Sequence, residues 1–118
     1  RTRVLSAGSS EQLAEIMTAV VSRGTGKKAA IDGLEIAGKT GTAHKIKTGR
    51  YAGSYVSSFG GFFPARDPRV TMFVMIDEPE GLHFGGDVAA PVFKAIAEKI
   101  MLYFGIFPEL PAQNEIHL

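Results

Sequence analysis

The sequence contains no cysteine, which excludes disulfides and thiolate metal sites. It has no apolar run near the roughly 18 residues needed to span a bilayer. It has no excess of charge: 13 Lys and Arg against 12 Asp and Glu leave a formal net charge of +1. No strong attraction to nucleic acid or to a membrane surface follows from that balance. The three histidines, His44, His83 and His117, are scattered without carboxylates at ligand spacing, so no metal site is read. The only asparagine is Asn114, and no serine has a lysine three residues after it. No internal repeat or low-complexity segment is present. What remains is an ordinary globular composition, 45% hydrophobic and 21% charged over 118 residues, enough for one domain or part of one.

The apolar pattern predicts an α+β arrangement. Ser9 or Ser10, with Gln12 as a capping partner, predicts a helix start. Leu13, Ile16, Met17, Val20 and Val21 then fall on one helical face, and Gly24-Thr25-Gly26 ends the helix. Residues 34–43 read as a strand and the polar residues 44–53 as a loop. Residues 55–63 and 70–76 read as two further strands, the last nearly all apolar and therefore expected to be central and covered on both faces. Short connections favour an antiparallel meander. A second helix is expected from about Asp87, with Pro91 in its first turn and Gly105 at its end. The expected units are residues 1–107 as part of one domain and 108–118 as an extended tail.

Lys39 lies in two overlapping motifs. Gly33 to Thr40 fits the phosphate-loop pattern G-x-x-x-x-G-K-[ST], and the apolar strand ending at Asp77 resembles the metal-holding strand of such NTPases. A phosphate loop needs a buried strand before it and a helix after it, because the helix N-terminus and loop N–H groups hold the phosphates. The residues before Gly33 are too short and polar for that strand. The segment after Thr40 holds Gly41, Thr42, Thr48 and Gly49 with no helical apolar period. The P-loop NTPase therefore stays only as a remote alternative.

The second motif is Lys39-Thr40-Gly41-Thr42 on a strand. It resembles the K-T-G box of penicillin-binding proteins and serine β-lactamases. The likeness extends over Gly24-Thr25-Gly26, residues 38–43, residues 55–64, residues 76–79 and residues 85–93, in order. Together these are similar to the class B (monofunctional) penicillin-binding proteins, most of all the division and sporulation transpeptidases. The resemblance implies a partial serine β-lactamase/penicillin-binding transpeptidase fold: helix, three antiparallel strands, C-terminal helix. It implies a peptidoglycan D,D-transpeptidase that cross-links stem peptides through an acyl-serine, takes D-Ala-D-Ala as donor, is acylated by β-lactams and needs no cofactor. Other partners it implies are the missing N-terminal part of the same domain and cell-division proteins. It places the enzyme on the extracytoplasmic face of the bacterial cytoplasmic membrane, anchored by an N-terminal segment outside this chain.

Strand alternation puts Thr40 and Thr42 on one face and Lys39 and Gly41 on the other. The resemblance then implies that Thr40 and Thr42 bind the donor carboxylate, and that Lys39 reaches the serine of the family's middle motif. Gly41 would let the catalytic helix approach, and the Thr42 backbone N–H would donate to the oxyanion. His44, Arg50 and Tyr51 would border the cleft on a loop. The S-x-x-K nucleophile and the S-x-N motif are absent, so the chain is read as a C-terminal fragment, inactive alone. A non-catalytic sensor or scaffold module is the alternative.

Overall fold

The computed structural model describes residues 2–108, with no account of the side chains of Lys47 and Ala52. Of the expected tail, 109–118 lie outside the described residues. The elements run α1 (Ala7–Arg23), a short 3-10 turn (Lys27–Ala29), β1 (Ala37–Lys47), β2 (Arg50–Phe63), β3 (Val70–Asp77) and α2 (Gly85–Phe104). The three strands form one antiparallel sheet in the order β1-β2-β3. This is the expected helix–meander–helix.

Helix α1 starts earlier than Ser9 or Ser10. Ser6 is its N-cap, and its Oγ accepts the Ser9 N–H at 3.1 Å. That leaves Ser9 inside the first turn, so Gln12 is no capping partner. The end is as expected: the Gly24 and Gly26 N–H groups both donate to the Val20 carbonyl. Of the apolar face only Val21 is buried, while Leu13 and Ile16 remain 44% and 61% exposed. The earlier part of α1 instead borders an open groove whose other lining includes Glu35, Phe62, Ala65 and Arg66.

Two strand boundaries differ from the reading. β1 begins at Ala37, not at Leu34, because Ile31 to Leu34 form a tight turn closed by Leu34 N–H to Ile31 O at 3.1 Å. At the other end, 44–53 is not a loop. β1 and β2 continue to a two-residue turn, Thr48-Gly49, closed by the Lys47–Arg50 pair. Both turn residues have positive φ, 50° and 75°, the geometry that matches the twist of a hairpin. The polar composition that suggested a loop belongs to a solvated ribbon, whose register shifts between His44 and Ile46 where Gly53 takes φ 67°.

The third strand also departs from expectation. Among the described residues, β3 is an outer strand paired only with β2. Its burial alternates: Val74 is buried, whereas Phe73 and Met75 are 67% and 65% exposed. Helix α2 covers one face of the sheet, and among the described residues nothing covers Phe73 and Met75 on the other.

The core lies between β2 and α2. Phe59 and Phe63 point from the sheet to Phe93 of α2, edge-on, with centroids 4.7 and 6.0 Å apart. Ala89, Ala90 and Ala97 let the helix lie close, and Ile36 and Met101 fill the ends. α2 begins at Gly85 rather than Asp87, so Pro91 sits inside the helix instead of in its first turn. Lacking an N–H, Pro91 gives no helical hydrogen bond to the Asp87 carbonyl. Asp87 lies in the first turn, where the helix dipole favours an anion, and its carboxylate takes the Lys28 ammonium at 2.8 Å. Gly105 ends α2 in the left-handed conformation (φ 61°, ψ 39°), as the sequence predicts.

Phe93→Ala removes the ring that both sheet aromatics meet. It should destabilise the domain by about 3–5 kcal/mol in chemical denaturation. A second expectation concerns pH. The Arg66 side chain hydrogen-bonds Glu35 at 2.7 and 3.3 Å and holds its carboxyl below the ordinary carboxylate range. A lowered folded value means stability present above that range and lost as pH falls through it. Glu35→Gln should therefore lower Tm above that range, leave it unchanged at the acid extreme, and so flatten the acid limb of a Tm-versus-pH curve.

Candidate active-site wall

β1 is the other outer strand of the sheet, so one of its edges is free of strand partners among the described residues. Thr40 and Thr42 pair with Phe59 and Ser57, so their side chains share the face that α2 covers. Lys39 and Gly41 take the opposite face, as alternation predicts. Lys39 does not stay there. Its Nζ curls back to the Thr40 carbonyl at 2.9 Å and the Thr40 Oγ1 at 3.3 Å. The ammonium and the Thr40 hydroxyl thus meet although their residues face opposite ways.

The N-terminus of α2 abuts this segment because Gly85 and Gly86 have no side chains. A Cβ on Gly85 would overlap the Gly41 and Ser58 carbonyl oxygens, and one on Gly86 would overlap the Thr25 carbonyl. The contact brings the Gly85 N–H to Thr42 Oγ1 at 3.0 Å. Thr42 Oγ1 accepts there, which leaves its own proton to donate elsewhere. The Thr40 hydroxyl lies 3.1 Å from the Thr25 hydroxyl, carried on the turn after α1. Gly41 also has a neighbour within the sheet. A Cβ there would meet Ser58 Oγ of β2 at 2.5 Å, so among the described residues it makes room for a side chain of the sheet.

His44 and Tyr51 are brought together, on strands rather than on a loop. The His44 ring packs against Tyr51 (centroids 5.2 Å) and Tyr55 (4.4 Å). Tyr55 stacks on His83 at 3.9 Å and 14°, and His83 leans on Phe84. The result is a row of rings on the Thr40–Thr42 face, continuing along the hairpin. Ser57 Oγ donates to the His83 carbonyl and ties that row to β2. Arg50 is not in it; it lies opposite Lys47 at the hairpin turn.

Sequence reasoning missed Thr25, Tyr55, His83 and the Gly85-Gly86 contact as parts of this wall. The glycine doublet before a helix was a legible signal of close packing. The ring row was not, because it joins Tyr55 of β2 to His83 of the segment before α2, residues far apart in sequence. The phosphate-loop alternative fails on geometry. Gly33 to Thr40 makes a tight turn and then a strand, and β1 runs on past Thr40 to Lys47 where a phosphate loop needs a helix to start. Asp77 and Glu78 are engaged by Lys45 at 2.8 and 3.1 Å. Asp77's hydrogen bond, then Glu78's, holds the Lys45 ammonium above the ordinary lysine range.

Residues 1–98 match the penicillin binding protein transpeptidase domain. The chain belongs to the penicillin-binding protein transpeptidase family. Among curated members, it is 41% identical over 115 residues to the probable peptidoglycan D,D-transpeptidase PenA of Neisseria flavescens, covering 95% of this chain and 29% of that one. Among solved structures, it is similar to the apo transpeptidase domain of Burkholderia pseudomallei penicillin-binding protein 3, with TM-score 0.83 and 37% identity over 93% of this chain and 34% of that one. It is also similar to Mycobacterium tuberculosis penicillin-binding protein 3 complexed with ampicillin, with TM-score 0.79 and 31% identity over 94% of this chain and 27% of that one. The chain therefore spans about a third or less of the relatives it matches. These relatives fit the class B branch expected from the motifs, and the helix–meander–helix is the corresponding part of the family fold.

The family context makes the glycine contact testable. Gly85→Ala forces a methyl group against two backbone oxygens, and overpacking of that kind costs about 1–3 kcal/mol or more. It should lower Tm and, by moving α2 off β1, break the Gly85–Thr42 bond. Loss of protection of the Gly85 amide in hydrogen exchange is the measurement that checks it.

Proposed function

We propose that this chain forms the Lys39-Thr40-Gly41-Thr42 wall of a serine D,D-transpeptidase active site, whose nucleophile comes from a preceding part of the same domain. The observation that carries the reading is the clustering of one ammonium and two hydroxyls with assigned partners on an outer strand. Such an edge accepts an extended peptide as a further strand. The donor would be a peptidoglycan stem peptide ending in D-Ala-D-Ala, its terminal carboxylate held by the Thr40 and Thr42 hydroxyls.

A serine attacks the penultimate carbonyl carbon, D-alanine leaves, and an amine of a second stem peptide then takes the acyl group and releases the serine. As the carbonyl oxygen gains negative charge, the Thr42 backbone N–H donates to it. Support for this comes from strand geometry. The N–H and C=O of one residue lie on the same edge, and alternate residues share that edge. The Thr40 carbonyl accepts the Lys39 ammonium and so lies on the open edge, which turns the Thr42 N–H the same way. Lys39 supplies positive charge and donors to the serine of the middle motif. His44 and Tyr51, with Tyr55 and His83, border the cleft on its hairpin side.

β-Lactams would acylate the same serine, in keeping with the ampicillin complex of the mycobacterial relative. The cross-linking reaction places the enzyme at the outer face of the cytoplasmic membrane, held by an anchor outside these residues. Cell-division proteins are the partners that this role brings.

A fluorescent penicillin should label the complete transpeptidase and give no covalent band with this segment alone; a band on the segment overturns the shared-site reading. In the complete enzyme, Thr42→Ala removes one hydroxyl donor to a carboxylate, worth about 1.5–3 kcal/mol, and should slow acylation about 10- to 100-fold. Lys39→Ala should be more severe, about 100- to 1000-fold. Unlabelled enzyme with both serine motifs lost would mark a binding module instead.

A further inference from the structure

The Thr25 hydroxyl lies 3.1 Å from the hydroxyl of Thr40, fifteen residues away. Thr25 belongs to the Gly24–Gly26 turn and has no part in the K-T-G box. Its backbone is fixed from behind: a Cβ on Gly86 would overlap the Thr25 carbonyl oxygen and touch Thr40 Cγ2 at 3.5 Å. Thr25, Gly86 and Thr40 are therefore packed as a unit, and the hydroxyl contact follows from that packing.

A threonine hydroxyl has one proton and two acceptor positions. Lys39 Nζ has only donors, so its 3.3 Å contact occupies one acceptor position of Thr40 Oγ1. When Thr25 donates, it occupies the second. Thr40 Oγ1 is then left with nothing but its proton to offer. A hydroxyl in that state is committed to donating, and an anion is the group that rewards it most. Without Thr25, the Thr40 proton is free to rotate, and water or the substrate can meet a lone pair instead.

We infer that Thr25 is a positioning residue: it donates to Thr40 Oγ1 and so aims the Thr40 proton at the substrate carboxylate. The inference rests on the transpeptidase reading above and deepens it. Thr25 acts through Thr40 and forms no bond to the reacting atoms.

The test uses the complete transpeptidase carrying this segment, as wild type, Thr25→Val and Thr25→Ser, with benzylpenicillin and its methyl ester as paired probes. Valine keeps the shape and removes the hydroxyl; serine keeps the hydroxyl. Thr25→Val should slow acylation by the free acid about five- to tenfold, in line with a hydrogen bond weakened rather than deleted. It should leave acylation by the ester within twofold of wild type. Thr25→Ser should restore the rate with the free acid. An unchanged rate with the free acid in Thr25→Val overturns the inference. So does an equal loss with acid and ester, which marks a structural role, or a failure of serine to rescue. Wild-type enzyme that neither probe acylates overturns the transpeptidase reading itself, and this inference with it.

Discussion

The close approach of α2 to β1 is the constraint on which the wall depends. Gly85 and Gly86 bring a helix N-terminus against Gly41, Ser58 and Thr25 at distances that no larger residue permits. Three consequences follow from that one contact. The Thr42 hydroxyl gains a backbone donor, the Thr25 turn is held beside Thr40, and the rest of α2 is set down along β2 so that Phe93 meets Phe59 and Phe63. Core and site are built from the same placement of one helix. The N-terminal end of that helix therefore inherits the rigidity of the aromatic core below it.

The wall also illustrates how a strand gathers groups of opposite orientation. Alternation sends Lys39 away from Thr40, and the long flexible lysine stem reverses the separation by reaching its neighbour's carbonyl and hydroxyl. A shorter cation could not make that turn. The two threonines are fixed by different partners, one by a helix N–H and one by a hydroxyl and an ammonium. Each oxygen is supplied with donors, and each keeps a proton for the free side of the wall.

Much of this was legible in the sequence, and the misses have physical reasons. The helix–meander–helix, the stop at Gly105 and the face shared by Thr40 and Thr42 follow from periodicity and local glycine chemistry, which are short-range. The hairpin arm was misread because solvent faces both sides of a two-stranded ribbon, so its residues look like loop residues; only Thr48-Gly49 betrayed the turn. The apolar run of β3 exceeds the burial it has here, because among the described residues only its Val74 face is covered. Thr25 and the row from Tyr51 to Phe84 depend on register and on the seat of α2. No local pattern encodes either.

The two-residue turn at Thr48-Gly49 has a consequence for how this family can vary. A strand slipped by one residue would exchange its faces, presenting Lys39 and Gly41 to α2 and turning both threonines away. The tight turn fixes the pairing, and the irregularity between His44 and Ile46 lies between that turn and the wall. Length changes taken up beyond the irregularity, in matched pairs across the ribbon, preserve the parity of every residue from Ala37 to Ala43. The arm can thus change length in such pairs, while the segment below it is locked in step with the helix.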